Sequence, residues 1–221
     1  MKVKQLKIKA FRGIQDLTLE FDQNQPTVLI GINGAGKSSA LDCLAVLLSH
    51  FIGQLRVSMS YNHLKGDAAQ YFTELDINTL SKETYAEVSI IDDEQTVAWS
   101  ITKQRGQAST RPKIARELRL ATDNLSDPFY SGLAPKLTLI VYYPVNRIVI
   151  DIPLDVPKEY QLEHAAQMHA YDWAVSNEKV DFVEFFRWFR LVEDIENETR
   201  LSSNPDYRDY QLQSVRRAIT S

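Results

Sequence analysis

The stretch GINGAGKSS, residues 31–39, decides the fold of this 221-residue chain. It carries the G-x-x-x-x-G-K-[ST] pattern of a phosphate-binding loop, or Walker A motif, in which a tight glycine turn lets backbone N–H groups surround a triphosphate. The residues that make the match are Gly31, Gly36, Lys37 and Ser38.

The flanks of this stretch supply the structural context that the pattern needs. The apolar run PTVLIG, residues 26–31, is typical of a strand buried on both faces. After the loop, KSSALDCLAVLLSHF places Leu41, Leu44, Ala45, Leu48 and Phe51 at helical spacing. A strand, a loop and a helix in this order favour nucleotide binding over the alternative, a glycine turn that happens to carry a lysine.

The residue types in the loop assign its chemistry. The backbone N–H groups of residues 34–39 would point at the β-phosphate, helped by the positive end of the helix dipole. Lys37 would reach the β- and γ-phosphates, and Ser38 would ligate Mg²⁺. The predicted cofactors are therefore ATP and Mg²⁺, and the predicted contacts are Gly34, Ala35, Gly36, Lys37, Ser38 and Ser39.

Composition limits the classes of protein to which the chain can belong. With 44% hydrophobic and 24% charged residues it can bury a core, and its length suggests one domain or one large lobe. The formal charge of -4 argues against a surface that is basic all over, so DNA would need a local basic strip. Cys43, the only cysteine, excludes an intrachain disulfide and fits the cytoplasm. We expect no membrane partner, because we find no signal peptide and no apolar window of about 18 residues.

Hydrophobic patterning divides the chain into an α/β core, residues 1–157, and a helical region, residues 158–221. In the core we predict paired strands, a hairpin, a second apolar strand and a flexible loop at about 104–115. These strands are at 3–10 and 14–21 for the pair, 84–103 for the hairpin, and 137–144 for LTLIVYYP. In the helical region we predict an amphipathic helix at about 179–199, whose phenylalanine stripe favours packing over base stacking, and a final helix in YQLQSVRRAITS.

Two longer stretches resemble known families. LKIKAFRGIQDLTLEF followed by VLIGINGAGKSS resembles the start of the ATP-binding-cassette (ABC) type head of RecF-like, SMC-like and overcoming-lysogenization-defect-like ATPases. LIVYYPVNRIVIDIP and FVEFFRWFRLVEDIENE resemble a bacterial subgroup of AAA-type ATP-binding proteins, several of which act in anti-phage defence, some beside a nuclease. The resemblance implies an α/β P-loop NTPase fold, in which residues 1–221 form the N-terminal lobe of the head. It also implies a mixed sheet with an antiparallel β layer, and a helical region.

The resemblance also implies roles for individual side chains. Asn33 would face the nucleotide across a head-to-head homodimer. Arg12 would approach the nucleotide or the loop, although pairing with a surface carboxylate is an alternative. Where such heads keep a glutamine for Mg²⁺ and water, this chain has Asn146 and Arg147. These could ligate the metal and hold a phosphate, or simply end the strand with polar residues.

The acidic residues that hydrolysis requires are not evident. Such ATPases need an Asp and a Glu at the end of a buried strand to serve Mg²⁺ and the attacking water. The one apolar run ending in acids is VSIIDDE, so Asp92 to Glu94 are candidates, but the alternation around them favours a hairpin turn. A signature loop of the LSGGE type is also missing. We therefore expect a longer ATPase whose C-terminal lobe completes the site.

Three hypotheses about function follow from these observations. The first is an ATP-binding lobe whose nucleotide-driven dimerisation controls DNA or an effector nuclease, in the manner of the anti-phage proteins. The second is a small self-sufficient NTPase or kinase that uses Asp92 to Glu94, which predicts turnover by this chain alone. The third is a non-catalytic interaction module that is stabilised by nucleotide.

Overall fold

The structure is a computed structural model, and it describes residues 1–58, 69–92, 95–107, 116–130, 138, 140–143 and 182–220. Contacts divide the described elements into two compact units. The first unit contains the four strands and the first two helices, and the second contains the last two helices. The phosphate-loop motif lies in the first unit.

A four-stranded antiparallel sheet forms the base of the first unit. Its strands are β1 (Lys2–Phe11), β2 (Ile14–Glu20), β3 (Glu83–Asp92) and β4 (Gln95–Gln104), and their spatial order is β2-β1-β3-β4. Alternate residues are buried along β4 and at Leu6 and Ile8 of β1, which is why these stretches alternate apolar and polar side chains. The predicted strand pair and the predicted hairpin are both confirmed.

The helix α1 (Lys37–Ser58) covers one face of this sheet and builds the core with it. Trp99 of β4 stacks against Phe51 and donates a hydrogen bond from its indole N–H to the carbonyl oxygen of Leu47 at 2.8 Å. Each large side chain buried in this way stabilises the fold by about 1.5–3 kcal/mol. Fully buried members of the core include Leu6, Ile8, Phe11, Leu47, Phe51, Ile52, Leu55, Phe72 and Ile90. α1 is therefore fixed to the sheet along most of its length.

The apolar character of α1 corrects one prediction from the sequence. By length and composition α1 could cross a membrane, whereas we expected no such segment. Because 67% of the qualifying window is buried inside the protein, α1 has the character of a core helix.

A helix that the sequence did not predict, α2 (Arg116–Tyr130), packs against α1. Leu118 and Thr122 are buried, and the hydroxyl of Ser58 at the end of α1 lies 3.5 Å from that of Thr122. The fold of the first unit is therefore an α/β arrangement of helices packed on an antiparallel layer, and it confirms the predicted fold class.

The prediction of a buried strand at residues 26–31 is wrong for the described structure. The segment belongs to no strand, and Val28 and Ile30 are 73% and 91% exposed. A strand is buried on both faces only when it lies between other strands of a sheet. Residues 26–30 have no such partner, because no described residue forms a backbone hydrogen bond with them. The described residues of the second apolar run, 138 and 140–143, likewise carry no strand, so the predicted mixed sheet is not seen among the described residues.

The second unit contains α3 (Phe182–Ser202) and α4 (Tyr210–Thr220). The Asp209 carboxylate accepts the N–H groups of Gln211 and Leu212 at 2.9 and 3.0 Å, which caps α4. Arg216 on α4 bonds the buried Glu196 of α3 at 2.9 Å. Both predicted helices of this region are confirmed.

Candidate nucleotide-binding site

Two glycines give the loop its shape. Gly34 and Gly36 adopt left-handed φ angles of +83° and +87°, which side chains with a Cβ rarely take. A hydrogen bond from Ala35 N–H to the Ile32 carbonyl oxygen at 3.3 Å closes the turn that contains Gly34. The loop runs directly into α1, which begins at Lys37, as the sequence predicts.

The backbone donors of the loop are available to a ligand. Of the N–H groups predicted to contact phosphate, only that of Ala35 has an acceptor among the described residues. The N–H groups of Lys37, Ser38 and Ser39 form the first turn of α1, which in any helix has no intrahelical acceptor. Asn33, Gly34 and Ser38 are exposed. These donors and the helix dipole suit an anion.

The ammonium group of Lys37 lies across the loop. It donates hydrogen bonds to the carbonyl oxygens of Gly31 at 2.7 Å and Ile32 at 2.8 Å. These acceptors are neutral and exposed, so a phosphate group would compete for the ammonium effectively. The ammonium group of Lys37 is therefore positioned to exchange these carbonyl oxygens for the oxygens of a triphosphate bound in the loop.

The corner between β1 and β2 packs against the phosphate loop. A Cβ at Gly36 would come within 3.0 Å of Cγ1 of Ile14, the first residue of β2. In the same corner Ala10 and Arg12 have φ angles of 52° and 48°. Such conformations cost of order 1–3 kcal/mol each, and they persist only where the surroundings impose them.

Arg12 is held by two carboxylates. Its Nε donates to Asp76 Oδ1 at 2.8 Å, its Nη1 donates to Asp42 Oδ2, and the guanidinium lies 5.0 Å from the ring centroid of Phe11. Burial lowers the pKa of Arg12, but the hydrogen bonds and charges of Asp42 and Asp76 outweigh burial and raise it. Arg12 therefore pairs with carboxylates, which is the alternative role that the sequence offered. The two carboxylates are largely buried, however, and not at the surface as that alternative assumed.

Asp42 connects a third segment to this pair. Its Oδ1 accepts a hydrogen bond from the hydroxyl of Tyr142, and burial together with this contact raises the pKa of Tyr142. Asn146 and Arg147, which follow Tyr142 closely in sequence, lie outside the described residues, so their role stays a prediction.

Asp92 lies far from the loop. It pairs with Gln95 at the hairpin between β3 and β4, which confirms the predicted turn; Asp93 and Glu94 lie outside the described residues. Its neighbour Ile91 pairs with Lys2, at the end of β1 opposite to the corner that supports the loop. β1 has 10 residues, and at about 3.3 Å per residue it spans roughly 30 Å. Asp92 therefore cannot serve a metal bound at Ser38.

Sequence reasoning missed Asp42, Asp76 and Tyr142. Only Asp42 had a local signal, because it follows Ser38 by four residues and so shares its face of α1. Among the described residues no group of three or more His, Cys, Asp or Glu side chains could hold a metal ion.

The sequence is similar to those of known proteins over most of the chain. A family described as an AAA domain matches residues 5–213. The chain is 24% identical over 216 residues to "Retron Vc95 probable ATPase" of Vibrio cholerae serotype O1 biovar El Tor, which covers 92% of this chain and 40% of that protein. It is 26% identical over 209 residues to "Retron Ec83 probable ATPase" of Escherichia coli, which covers 89% of this chain and 36% of that protein. The chain thus spans well under half the length of these relatives.

Proposed function

Because the chain belongs to the AAA domain family, a family of P-loop NTPases, we propose that it binds ATP with Mg²⁺ through residues 31–39. The observation that carries the proposal is the pair of left-handed glycines, Gly34 and Gly36, which present free N–H groups at the start of α1 beside Lys37. This arrangement of donors is what a triphosphate requires.

The loop residues would divide the work as follows. The N–H groups of Gly34, Gly36 and the first turn of α1 would bind the β-phosphate. Lys37 would exchange the carbonyl oxygens of Gly31 and Ile32 for phosphate oxygens, and Ser38 would ligate Mg²⁺. Mg²⁺ would supply charge neutralisation between the β- and γ-phosphates.

Hydrolysis would require acidic residues free to serve Mg²⁺ and the attacking water, whereas the acidic residues described at this site, Asp42 and Asp76, are paired with Arg12. We propose that a C-terminal lobe supplies them, and that the 221 residues form the N-terminal lobe of an ABC-type ATPase head of the RecF-like or SMC-like kind. The 40% and 36% coverage of the relatives supports a longer polypeptide. The exposed apolar segment at Val28, Ile30 and Ile32 supports it too, since such a segment is suited to strand pairing.

The complete protein would act as a nucleotide-controlled switch. In heads of this type two copies close over ATP, so Asn33 would approach the nucleotide of the partner copy, and binding energy would become conformational change. Because the sequence resembles AAA-type proteins that act in anti-phage defence, we propose such a role in the bacterial cytoplasm, with DNA or an effector nuclease as the controlled partner.

Nucleotide binding is tested most directly by thermal unfolding with and without Mg²⁺-ATP. ATP at about 100 times its Kd should stabilise the chain by about 2.7 kcal/mol, or roughly 5–10 °C for a protein of this size. Lys37→Ala should remove the shift, whereas Lys4→Ala, at an exposed lysine of β1, should keep it. Equal shifts in the two variants would contradict the proposed site.

Turnover and association distinguish this proposal from the other two hypotheses. Phosphate release by the 221-residue chain, lost in Lys37→Ala, would favour a self-sufficient NTPase. Stabilisation by ATP without Mg²⁺-dependent dimerisation of the complete protein would favour a non-catalytic module. Binding without turnover by this chain, and dimerisation of the complete protein, is the expected result.

A further inference from the structure

The guanidinium of Arg12 is committed to carboxylates at the base of the loop. We propose that Arg12 is a positioning residue, which neutralises and orients Asp42 beside the phosphate loop and does not itself bind the nucleotide. This inference rests on the proposed nucleotide site and goes beyond it. It states that the positive charge of Arg12 compensates the negative charge of Asp42 next to the bound phosphates.

The contacts of Arg12 leave it little freedom to move. Its backbone N–H donates to the Asp76 carbonyl oxygen at 2.8 Å, and its carbonyl oxygen accepts from Asn78 Nδ2 at 2.6 Å. Asn78 N–H also bonds the carbonyl oxygen of Ala10 at 2.9 Å. The left-handed φ angles of Ala10 and Arg12 are thus imposed by residues 76–78, and the side chain starts from a fixed point.

Release of the side chain would also be costly. The side chains of Asp42 and Asp76 are only 18% and 12% exposed, so each needs a partner for its charge. Asp76 would keep the backbone N–H and the hydroxyl of Thr73 at 2.8 and 2.9 Å, but among the described residues Asp42 would keep only the hydroxyl of Tyr142. If Arg12 swung to a phosphate, Asp42 would be left as a largely buried charge with one neutral donor.

The position of Asp42 explains why its charge matters. Asp42 follows Ser38 by four residues on α1, so their Cβ atoms lie about 5–6 Å apart. Ser38 is the proposed Mg²⁺ ligand, and the phosphates beside it carry several negative charges. An uncompensated carboxylate one helical turn below would repel them, and Arg12 removes that repulsion.

Asp42 also links α1 to the second apolar run. One carboxylate oxygen accepts from Arg12 and the other from Tyr142. The same side chain therefore fixes the β1–β2 corner and residues 140–143 to the helix that carries Lys37 and Ser38.

The competing role for Arg12 is direct contact with phosphate. Its Nη2 has no partner among the described residues, so this nitrogen is the donor that could reach a ligand. The two roles predict opposite results when Asp42 loses its charge together with Arg12.

A double-mutant cycle separates the two roles. Mg²⁺-ATP and Mg²⁺-ADP binding is measured by titration calorimetry for the wild type, Arg12→Met, Asp42→Asn and the double variant. We expect Arg12→Met to weaken ATP binding roughly 10-fold and ADP binding less, because repulsion grows with phosphate charge. Asp42→Asn keeps an acceptor for Tyr142 and should stay within about 3-fold, and the double variant should recover to within about 3-fold of Asp42→Asn.

Controls make each outcome decisive. Lys9→Met removes the same charge from an exposed lysine of β1 and should leave affinity unchanged, and far-ultraviolet circular dichroism establishes that each variant is folded. A double variant as weak as Arg12→Met would overturn the inference and identify Arg12 as a nucleotide ligand. An Arg12→Met variant that binds normally would overturn it as well. A wild type that binds no ATP would overturn the proposed function itself, and this inference with it.

Discussion

Ile14 lies directly beneath Gly36, so that a Cβ at Gly36 would stand 3.0 Å from Ile14 Cγ1 and 3.4 Å from its Cδ1. Gly36 also has a φ angle of +87°. Two independent constraints, backbone conformation and close packing, thus disfavour a side chain where the loop meets α1. Gly34 shares only the first constraint, because its Cβ would meet open space.

Gly36→Ala should therefore be more harmful than Gly34→Ala. The left-handed conformation costs both variants about 1–2 kcal/mol, and the contact with Ile14 adds about 1–3 kcal/mol at Gly36 alone. Urea unfolding measures the difference, and Ile14→Val in the Gly36→Ala background should recover part of it. Equal destabilisation by the two alanines would contradict this prediction, because it would show that the side chain of Ile14 moves aside without loss of stability.

Asp92→Asn should leave nucleotide binding unchanged. Asp92 pairs with Gln95 at the end of the hairpin, roughly 30 Å from the corner that supports the loop. We expect the Kd for Mg²⁺-ATP to stay within about 2-fold of wild type, since a screened surface charge at that distance has little effect. Loss of binding or of any turnover in this variant would restore the self-sufficient NTPase hypothesis.

Sequence alone could predict the elements whose signals are local. Alternating side chains identified β1 and β2, and the start of α1 at Lys37 follows from the loop pattern. The left-handed glycines fall where the motif requires them, at Gly34 and Gly36. In each case the residue's conformation depends on neighbours within a few positions.

Features that depend on distant partners were not predictable. The run at 26–31 is apolar enough for burial, yet Ile30 is exposed because no described strand lies beside it. α2 contains Asp127 and Pro128, which favour turns, and its buried residues are fixed by α1. Arg12 was singled out from sequence, but its partner Asp76 is separated from it by 64 residues.

Ile30→Cys should react rapidly with a maleimide in the 221-residue chain. Ile30 is 91% exposed, whereas Cys43, the only native cysteine, is fully buried and burial raises the pKa of its thiol. The wild type should therefore label at least about 10-fold more slowly than the variant.

The same label tests the proposed C-terminal lobe. In the complete protein the reaction at Ile30→Cys should slow if that lobe covers residues 26–32. Thr18→Cys, at an exposed position of β2, should react equally in the chain and in the complete protein. Fast labelling of Ile30→Cys in the complete protein would contradict coverage by the lobe.

His50 should make stability depend on pH below neutrality. The residue is 5% exposed, its ring lies edge-on to Tyr71 at 5.1 Å between ring centroids, and Nε2 has no partner among the described residues. Burial lowers the pKa of His50 to about 4 from the usual 6.5. The imidazole is therefore neutral in the folded chain but takes up a proton on unfolding at any pH between these values.

The sign of the effect follows from proton uptake by the unfolded chain. The contribution of His50 is fully present above about pH 6.5 and is lost as the pH falls toward 4, which amounts to about 2 kcal/mol between pH 7 and pH 5. His50→Phe, which cannot titrate, should lose correspondingly less stability over this interval in urea unfolding. Carboxylates contribute equally to both proteins, so the difference between their pH profiles isolates His50. Parallel profiles would mean that the imidazole is already hydrated in the folded chain.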